Sequence, residues 1–287
     1  EGMKAFKDHH GDAWLFRPED NLTRFNKSCE RLAMPAITKE YFMEGLHKLL
    51  ALDQNWIKPG AGNSLYIRPF MIASQAGVIA SPAKEYKFMV ICSPAQSYYS
   101  GEVRVKIAET FSRAASGGFG YAKAAGNYAG SFYPTQLAQA EGFQQVVWTD
   151  ANTHQHIEEA GTMNIFIRIG EILITSPTSD RILDGITRKS ILQIAKVTSA
   201  IINEYKFISG KYFIVLLICS TIPYPIFSLK PKISPNCEKA ITIAIPIVKP
   251  TTIECGTRVI TLPNLKIPDI NNNIPATMDT NTKNEWL

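Results

Sequence analysis

Apolar residues recur with helical spacing over residues 20–34, where Leu22, Phe25, Cys29, Leu32 and Ala33 share a face and Pro35 is placed to stop the helix. A second amphipathic helix is predicted over residues 39–52, with Phe42, Leu46, Leu49 and Leu50 turned inward. Strand patterns occupy residues 13–16, 64–73, 86–93 and 145–148. Residues 136–141 and 187–195 read as helical. Residues 163–168 and 171–175 predict a hairpin around Ile169-Gly170. Strands alternate with helices, and hairpins interrupt the alternation. The predicted class is therefore α+β and not a plain doubly wound sheet.

Composition divides this picture in two. The chain has 287 residues, 45% of them hydrophobic, enough for one large domain or two medium ones with a sizeable core. Sixteen of its 18 Gly and all five His fall within residues 1–196. The last 91 residues hold nine of the 17 Pro and are rich in Ile, Lys and Asn. A segment almost without Gly lacks the residue that tight turns and ligand-cradling loops need. The apolar run over residues 212–227 is broken by Pro223 and Pro225, and it is too short for a membrane span of roughly 18–20 residues; it reads as a strand-like run at best.

The net charge of +5 comes from interspersed basic residues, so neither nucleic acid nor a membrane surface is an expected partner. Five Cys without a CxxC pair argue against a disulfide framework or a zinc site, and for a reducing, cytoplasmic compartment. Cys29 and Cys92 sit on apolar faces, as buried thiols do. His9-His10 reads as a polar turn, and His154 with His156 as a turn and strand start rather than a metal pair. The chain opens on Glu1-Gly2-Met3 in mid-element, which predicts that an N-terminal portion is missing.

The densest unusual segment is Gly117-Gly-Phe-Gly-Tyr-Ala-Lys-Ala-Ala-Gly-Asn-Tyr-Ala-Gly130, whose one charge is Lys123. An amine among Gly and Ala is easily desolvated, and a neutral amine can attack a carbonyl. On this segment alone, an exposed lysine on a Gly-rich loop is the better reading.

Six motifs change that balance: Glu1-Gly-Met-Lys-Ala-Phe6, Leu15-Phe-Arg-Pro18, Ser64-Leu-Tyr-Ile-Arg-Pro69, Ala122-Lys-Ala-Ala-Gly-Asn-Tyr128, Glu159-Ala-Gly-Thr-Met-Asn164 and Asp184-Gly-Ile-Thr-Arg188. In this order and spacing they resemble the branched-chain amino-acid aminotransferases, members of the fold type IV pyridoxal-phosphate enzymes, over residues 1–196. The resemblance implies two α/β lobes with the cofactor, pyridoxal 5'-phosphate, between them. Residues 1–95 would be the remainder of a small N-terminal lobe, residues 96–196 the start of a large cofactor-binding lobe, and residues 197–287 a divergent tail.

The resemblance also implies roles. Lys123 would hold the cofactor covalently and then act as general acid/base. Glu159 would meet the pyridine nitrogen, and Tyr128 the phenolic oxygen. Arg24 and the backbone N–H groups of Ile186 and Thr187, at a helix start, would bind the phosphate, in keeping with the anion preference of helix N-termini. Arg17 would be structural. Tyr66 and Arg68, which alternate along one strand face, would border the substrate pocket and place the substrate carboxylate. Substrates would be leucine, isoleucine or valine with 2-oxoglutarate or glutamate, in a homodimer.

Two departures stand beside these matches. Strands expected before Glu1 are absent, and after Lys196 the resemblance stops. The family's Gly-Thr-Ala type loop has its nearest counterpart in Glu254-Cys-Gly-Thr-Arg258. The tail's composition fits a shifted reading frame or an unspliced intron. Alternatives therefore stay open: another fold type IV enzyme, such as a D-amino-acid aminotransferase or an aminodeoxychorismate lyase, or a truncated, non-catalytic relic.

Overall fold

The computed structural model describes residues 1–60, 62–96, 103–169 and 172–197, and strand segments at 201–204, 207–208, 215–216, 240–243 and 258–261. The chain starts with a hairpin of β1 (Met3–Lys7) and β2 (Ala13–Leu15). Its turn is polar, as expected at His9-His10: Asp8 Oδ1 accepts from the backbone N–H groups of His10 and Asp12 at 2.9 and 3.0 Å.

Two helices follow. Helix α1 (Pro18–Arg31) has Pro18 in its first turn, where a missing N–H costs nothing, and Glu19 and Asp20 beside it suit the positive end of the helix dipole. It ends earlier than the apolar spacing predicts. Ala33 takes a left-handed φ of 52°, and the N–H of Met34 returns to Cys29 O at 2.9 Å while that of Ala33 returns to Glu30 O at 3.1 Å. These are the two bonds of a Schellman cap. The cap closes the helix before Pro35 is reached and leaves Leu32 and Ala33 exposed, off the buried face of Leu22, Phe25 and Cys29. Helix α2 (Lys39–Asp53) is capped by Thr38, whose side chain accepts from Tyr41 N, and buries Phe42, Leu46, Leu49 and Leu50 as predicted.

A short 3-10 turn (Gln54–Trp56) leads to β3 (Ser64–Ala73) and β4 (Tyr86–Ala95), a ten-residue antiparallel pair. Strand β1 pairs with β3 on the other side. Alternate residues Leu65, Ile67, Phe88 and Val90 face α1 and α2 in one core, where Phe25, Phe42 and Phe88 pack at centroid distances of 5.7–6.2 Å.

The second half begins with β5 (Val103–Ile107), a short strand that the apolar pattern did not reveal. It pairs in parallel with β6 (Gln145–Thr149), and a parallel pair requires a long crossover. That crossover carries the Gly-rich segment and two helices, α3 (Ala125–Ala129) and α4 (Phe132–Ala140). Helix α4 starts before residue 136 because Pro134 falls in its first turn, where it is tolerated. Trp148 of β6 is fully buried with Ala138 and Ala108, and its indole N–H donates to Gly161 O at 3.0 Å.

Strand β7 (His156–Ala160) runs antiparallel to β6 and pairs with β8 (Met163–Asn164). The strand predicted over 163–168 divides here. Residue 165 leaves the pairing, its carbonyl accepting from Thr175 Oγ1 at 2.7 Å, and β9 (Phe166–Ile169) joins a different sheet with β10 (Ile172–Thr175). Helix α5 (Ile186–Val197) follows.

Beyond it, β11 (Ile201–Glu204) pairs with β10, β12 (Phe207–Ile208) with β7, β13 (Val215–Leu216) with β9, β14 (Ala240–Ile243) with β5, and β15 (Arg258–Thr261) with β4. The strand order is β15-β4-β3-β1-β2 in the first sheet, β12-β7-β6-β5-β14 in the second and β11-β10-β9-β13 in the third. Most of the apolar run at 212–227, and Glu254 to Gly256 with Thr257, lie outside the described residues. Among the described residues no helix is long and apolar enough to cross a membrane.

Candidate functional site

Lys123 sits just before α3, at the point where the crossover turns back toward α1. Its amine donates to Tyr128 Oη at 2.8 Å and lies 4.9 Å from the centre of that ring. One turn of α3 sets this five-residue spacing, so Tyr128 reaches back over Lys123. The backbone N–H of Lys123 donates to Ser28 Oγ at 2.9 Å, and Ser28 Oγ donates to Arg24 O at 3.0 Å. The lysine loop is thereby tied to α1.

On α1, one helical turn before Ser28, Arg24 is buried. Its Nη2 and Nε meet the two carboxylate oxygens of Glu1 at 2.6 and 3.0 Å, a bidentate pair, and its Nη1 donates to Asp184 O at 3.1 Å. The Glu1 side chain is fully buried. Burial pushes its carboxyl up, yet the charge and hydrogen bonds of Arg24 overcome this and hold it below its ordinary range. The field of Lys123 acts in the same direction.

Asp184 precedes the first turn of α5, so Arg24 places a cation beside the N-terminal N–H groups of Ile186 and Thr187. Gly185 makes this junction possible. A Cβ there would overlap Asn164 Oδ1 and stand 3.3 Å from Arg188 Cβ. Lys189, one turn into α5, pairs with Asp184 Oδ2 at 2.9 Å.

Glu158 and Glu159 are both buried on β7, and alternation sends them to different partners. Glu158 pairs with Arg181 Nε at 2.5 Å. Glu159 Oε1 accepts from Asn164 Nδ2 at 2.8 Å and from Leu183 N at 3.0 Å. Glu159 Oε2 lies 2.7 Å from Arg113 Nε, as an ion pair and not an aligned hydrogen bond. Burial pushes the Glu159 carboxyl up to about 7, against the pull of Arg113, the Leu183 N–H and Lys123. A carboxylate has about four acceptor positions, and the two hydrogen bonds on Oε1 leave Oε2, beside Arg113, able to accept another.

Tyr66 and Arg68 do share one face of β3, with Arg68 Nη2 donating to Tyr66 Oη at 3.3 Å and its guanidinium 5.3 Å from the ring centre. They join the cluster through the Glu1 backbone, whose nitrogen donates to Pro69 O at 2.6 Å. Pairing of β1 with β3 thus sets Tyr66 against Gly2, next to Glu1 in the chain.

Three contributors were not singled out from sequence: Glu1 and Asn164, which lie inside quoted motifs, and Arg113, which lies outside all of them. For Glu1 and Asn164 the available signal was a polar side chain inside a motif that was quoted. Arg113 gives no local signal, because its partner is 46 positions away. Arg17 is structural as expected: it pairs with Asp20 at 2.5 Å and donates to Ser190 Oγ and Gln193 Oε1 of α5 at 2.8 and 2.9 Å. His154 and His156 have separate partners, Thr149 Oγ1 at 2.8 Å and Asp150 Oδ2 at 3.3 Å. Cys29 and Cys92 are buried free thiols, and burial pushes Cys29 up to about 11.

Comparison with known proteins sets this cluster in context. A profile of the amino-transferase class IV family matches residues 1–211. Branched-chain-amino-acid aminotransferase 2 of Bacillus subtilis (strain 168) is 43% identical over 209 residues, covering 72% of this chain and 58% of the relative. The branched-chain-amino-acid aminotransferase of Mycolicibacterium smegmatis is 40% identical over 214 residues, covering 72% and 58%. Among solved structures, the Escherichia coli branched-chain amino acid aminotransferase aligns with a TM-score of 0.60 at 25% identity, covering 71% of this chain and 65% of that one. The chain spans less than two thirds of the length of these relatives.

Proposed function

The chain belongs to the amino-transferase class IV family, and from that premise we propose that it is a pyridoxal-phosphate-dependent transaminase of branched-chain amino acids. Leucine, isoleucine or valine would give up its amino group to 2-oxoglutarate. The observation that carries the reading is the Lys123 amine held on Tyr128 Oη at 2.8 Å, in a site that also gathers Arg24, the start of α5 and the buried Glu159.

The donor set fits the cofactor's chemistry. Lys123 offers an amine to an aldehyde, and Arg24 with the N–H groups of Ile186 and Thr187 offers positive charge to a phosphate. Glu159 keeps one acceptor position for a protonated ring nitrogen. When bound, pyridoxal phosphate supplies the electron sink for a carbanion at the substrate Cα. Lys123 Nζ would take the proton from that Cα, acting as general base. Tyr128 Oη orients the amine. Tyr66 and Arg68 would meet the substrate carboxylate, for which a planar guanidinium is suited.

The names of the Bacillus and Mycolicibacterium relatives support the branched-chain assignment over other enzymes of this fold. A structural neighbour from Thermobaculum terrenum, with a TM-score of 0.62, was solved in its PLP-form, which supports the cofactor. We read residues 1–95 as a small lobe and 96–196 as the start of the cofactor lobe. We read the assembly as a homodimer, for which the exposed Phe132 and Tyr133 at the start of α4 offer apolar surface. The free thiols of Cys29 and Cys92 fit a reducing, cytoplasmic setting.

One observation favours a second reading: the family match ends at residue 211, leaving the tail outside it. A chain that binds cofactor without turning over substrate would account for that. A single experiment separates the two. The protein is mixed with pyridoxal phosphate and its absorbance recorded. Borohydride reduction and peptide mapping then locate the pyridoxyl tag. A tag on Lys123, with visible absorbance that leucine bleaches, supports the transaminase. A tag on Lys123 with absorbance indifferent to leucine supports the second reading, and a tag elsewhere removes both.

A further inference from the structure

Arg113 lies in the loop after β5, ten residues before Lys123, and its side chain is only 7% exposed. It makes three contacts, each to a different wall of the site. Nε stands 2.7 Å from Glu159 Oε2. Nη2 donates to Gly120 O at 3.0 Å, on the Gly-rich approach to Lys123, and also to Arg181 O, on the loop that enters α5. Those two walls are pressed together at Gly120, where a Cβ would stand 2.8 Å from Arg181 O. Only glycine permits this approach, and the approach is what lets one guanidinium reach both carbonyls.

We propose that Arg113 is a positioning residue that holds Glu159 as a carboxylate and fixes it against the loops bearing Lys123 and the start of α5. The proposal deepens the reading of Glu159 as the group facing the cofactor's ring nitrogen, and it rests on that reading for its catalytic meaning. Its physical basis is separate. Glu159 is 3% exposed, and removing a carboxylate from water favours the neutral acid. Among the described residues, the charged groups that act on it most strongly are Arg113, Glu158 and Lys123. Glu158 opposes ionisation and is itself engaged by Arg181. Lys123 has Tyr128 as its own partner. Arg113 is the buried cation in direct contact. Without it the acid would remain protonated through neutral pH, and a neutral carboxyl cannot pair with a protonated ring nitrogen.

The test uses the full chain without cofactor, so failure to bind pyridoxal phosphate would bear on the proposed function and leave this measurement intact. Side-chain carboxyls are labelled with carbon-13, and Glu159 is assigned by its loss in Glu159→Gln. Its titration is followed by NMR in the native protein, in Arg113→Gln and in Arg113→Lys. Gln keeps a donor for the two carbonyls and removes the charge; Lys keeps the charge and loses the fork. In Arg113→Gln the midpoint should rise by about one pH unit or more, a tenfold gain in proton affinity. In Arg113→Lys it should stay within about half a unit of the native midpoint. A folded Gln variant with the native midpoint overturns the proposal. Should the Gln variant not fold, the Lys variant decides: a native midpoint supports the proposal, and one displaced upward by a unit overturns it.

Discussion

Asn164 and Glu159 face one another across the β7–β8 pairing, and the Asn164 amide donates to Glu159 Oε1 and to Leu183 O, each at 2.8 Å. One side chain thus fixes the acid and the loop that leads into α5. Asn164→Ala removes a donor from a buried carboxylate, a loss of about 1.5–3 kcal/mol when the acid is ionised. The variant should be less stable than native by that order at pH 8, and by less at pH 5, where Glu159 is protonated. Urea unfolding at the two pH values measures both quantities.

Glu159 itself makes stability depend on pH. Burial pushes its folded pKa up to about 7 from an ordinary 4.5, so the folded state binds more protons than the unfolded state between those values. Its effect is absent below the lower value. Stability then falls as pH rises through the window and levels off above the upper one, a total of about 3 kcal/mol. In Glu159→Gln this fall disappears. The stability difference between native and variant should therefore move by about 3 kcal/mol in the variant's favour between pH 4.5 and pH 8. Other groups that titrate in this range are common to both proteins and cancel in the difference. A difference constant across this range would show that Glu159 ionises as freely folded as unfolded.

The elements set by local periodicity were legible in the sequence. Helix α2 and strand β3 follow directly from apolar spacing, because each buries one continuous face against a single core. The end of α1 was not, because a left-handed Ala33 and its two return bonds leave no apolar mark. Strand β5 alternates Val with Arg and Lys over only five residues, too short to stand out. Lys123, Tyr128 and Glu159 are candidates because they stand inside motifs legible in the sequence, whereas Arg24 lies outside those motifs and is a candidate through the resemblance alone. Arg113 was not found, since its meaning comes from Glu159 and from two backbone carbonyls that only the fold delivers.

Tyr128→Phe tests the orientation of the lysine. The Lys123 amine would lose the acceptor it holds at 2.8 Å, a hydrogen bond of the charged type worth about 1.5–3 kcal/mol. The apparent affinity for pyridoxal phosphate should weaken by roughly 10- to 100-fold, read from the absorbance of the adduct. The half-buried position of Tyr128 keeps the cost to folding small. An unchanged binding curve would mean that the lysine needs no such guide.

Gly185→Ala tests the junction at the start of α5. The added methyl overlaps Asn164 Oδ1, so Asn164 or the helix start must move. Overpacking of this kind costs about 1–3 kcal/mol. The melting temperature and the affinity for pyridoxal phosphate should fall together. Gly77→Ala is the control, since nothing lies within 4 Å of its added Cβ, and its stability should stay within about 1 kcal/mol of native.

Arg24 and Glu1 make the last prediction. Each is buried and each is the other's counter-charge. Arg24→Met would leave Glu1 as an uncompensated buried carboxylate, a loss of about 3–5 kcal/mol. Glu1→Gln leaves an arginine that keeps its bond to Asp184 O and has a full charge to offer at the start of α5. Inorganic phosphate should therefore raise the melting temperature of Glu1→Gln more than that of the native protein, because a ligand stabilises in proportion to its affinity for the folded state. Arg24→Met should show no such rise. Melting curves at increasing phosphate, with sulfate-free buffer and matched ionic strength, compare the three proteins. Equal responses from all three would place the anion elsewhere and detach Arg24 from the phosphate site.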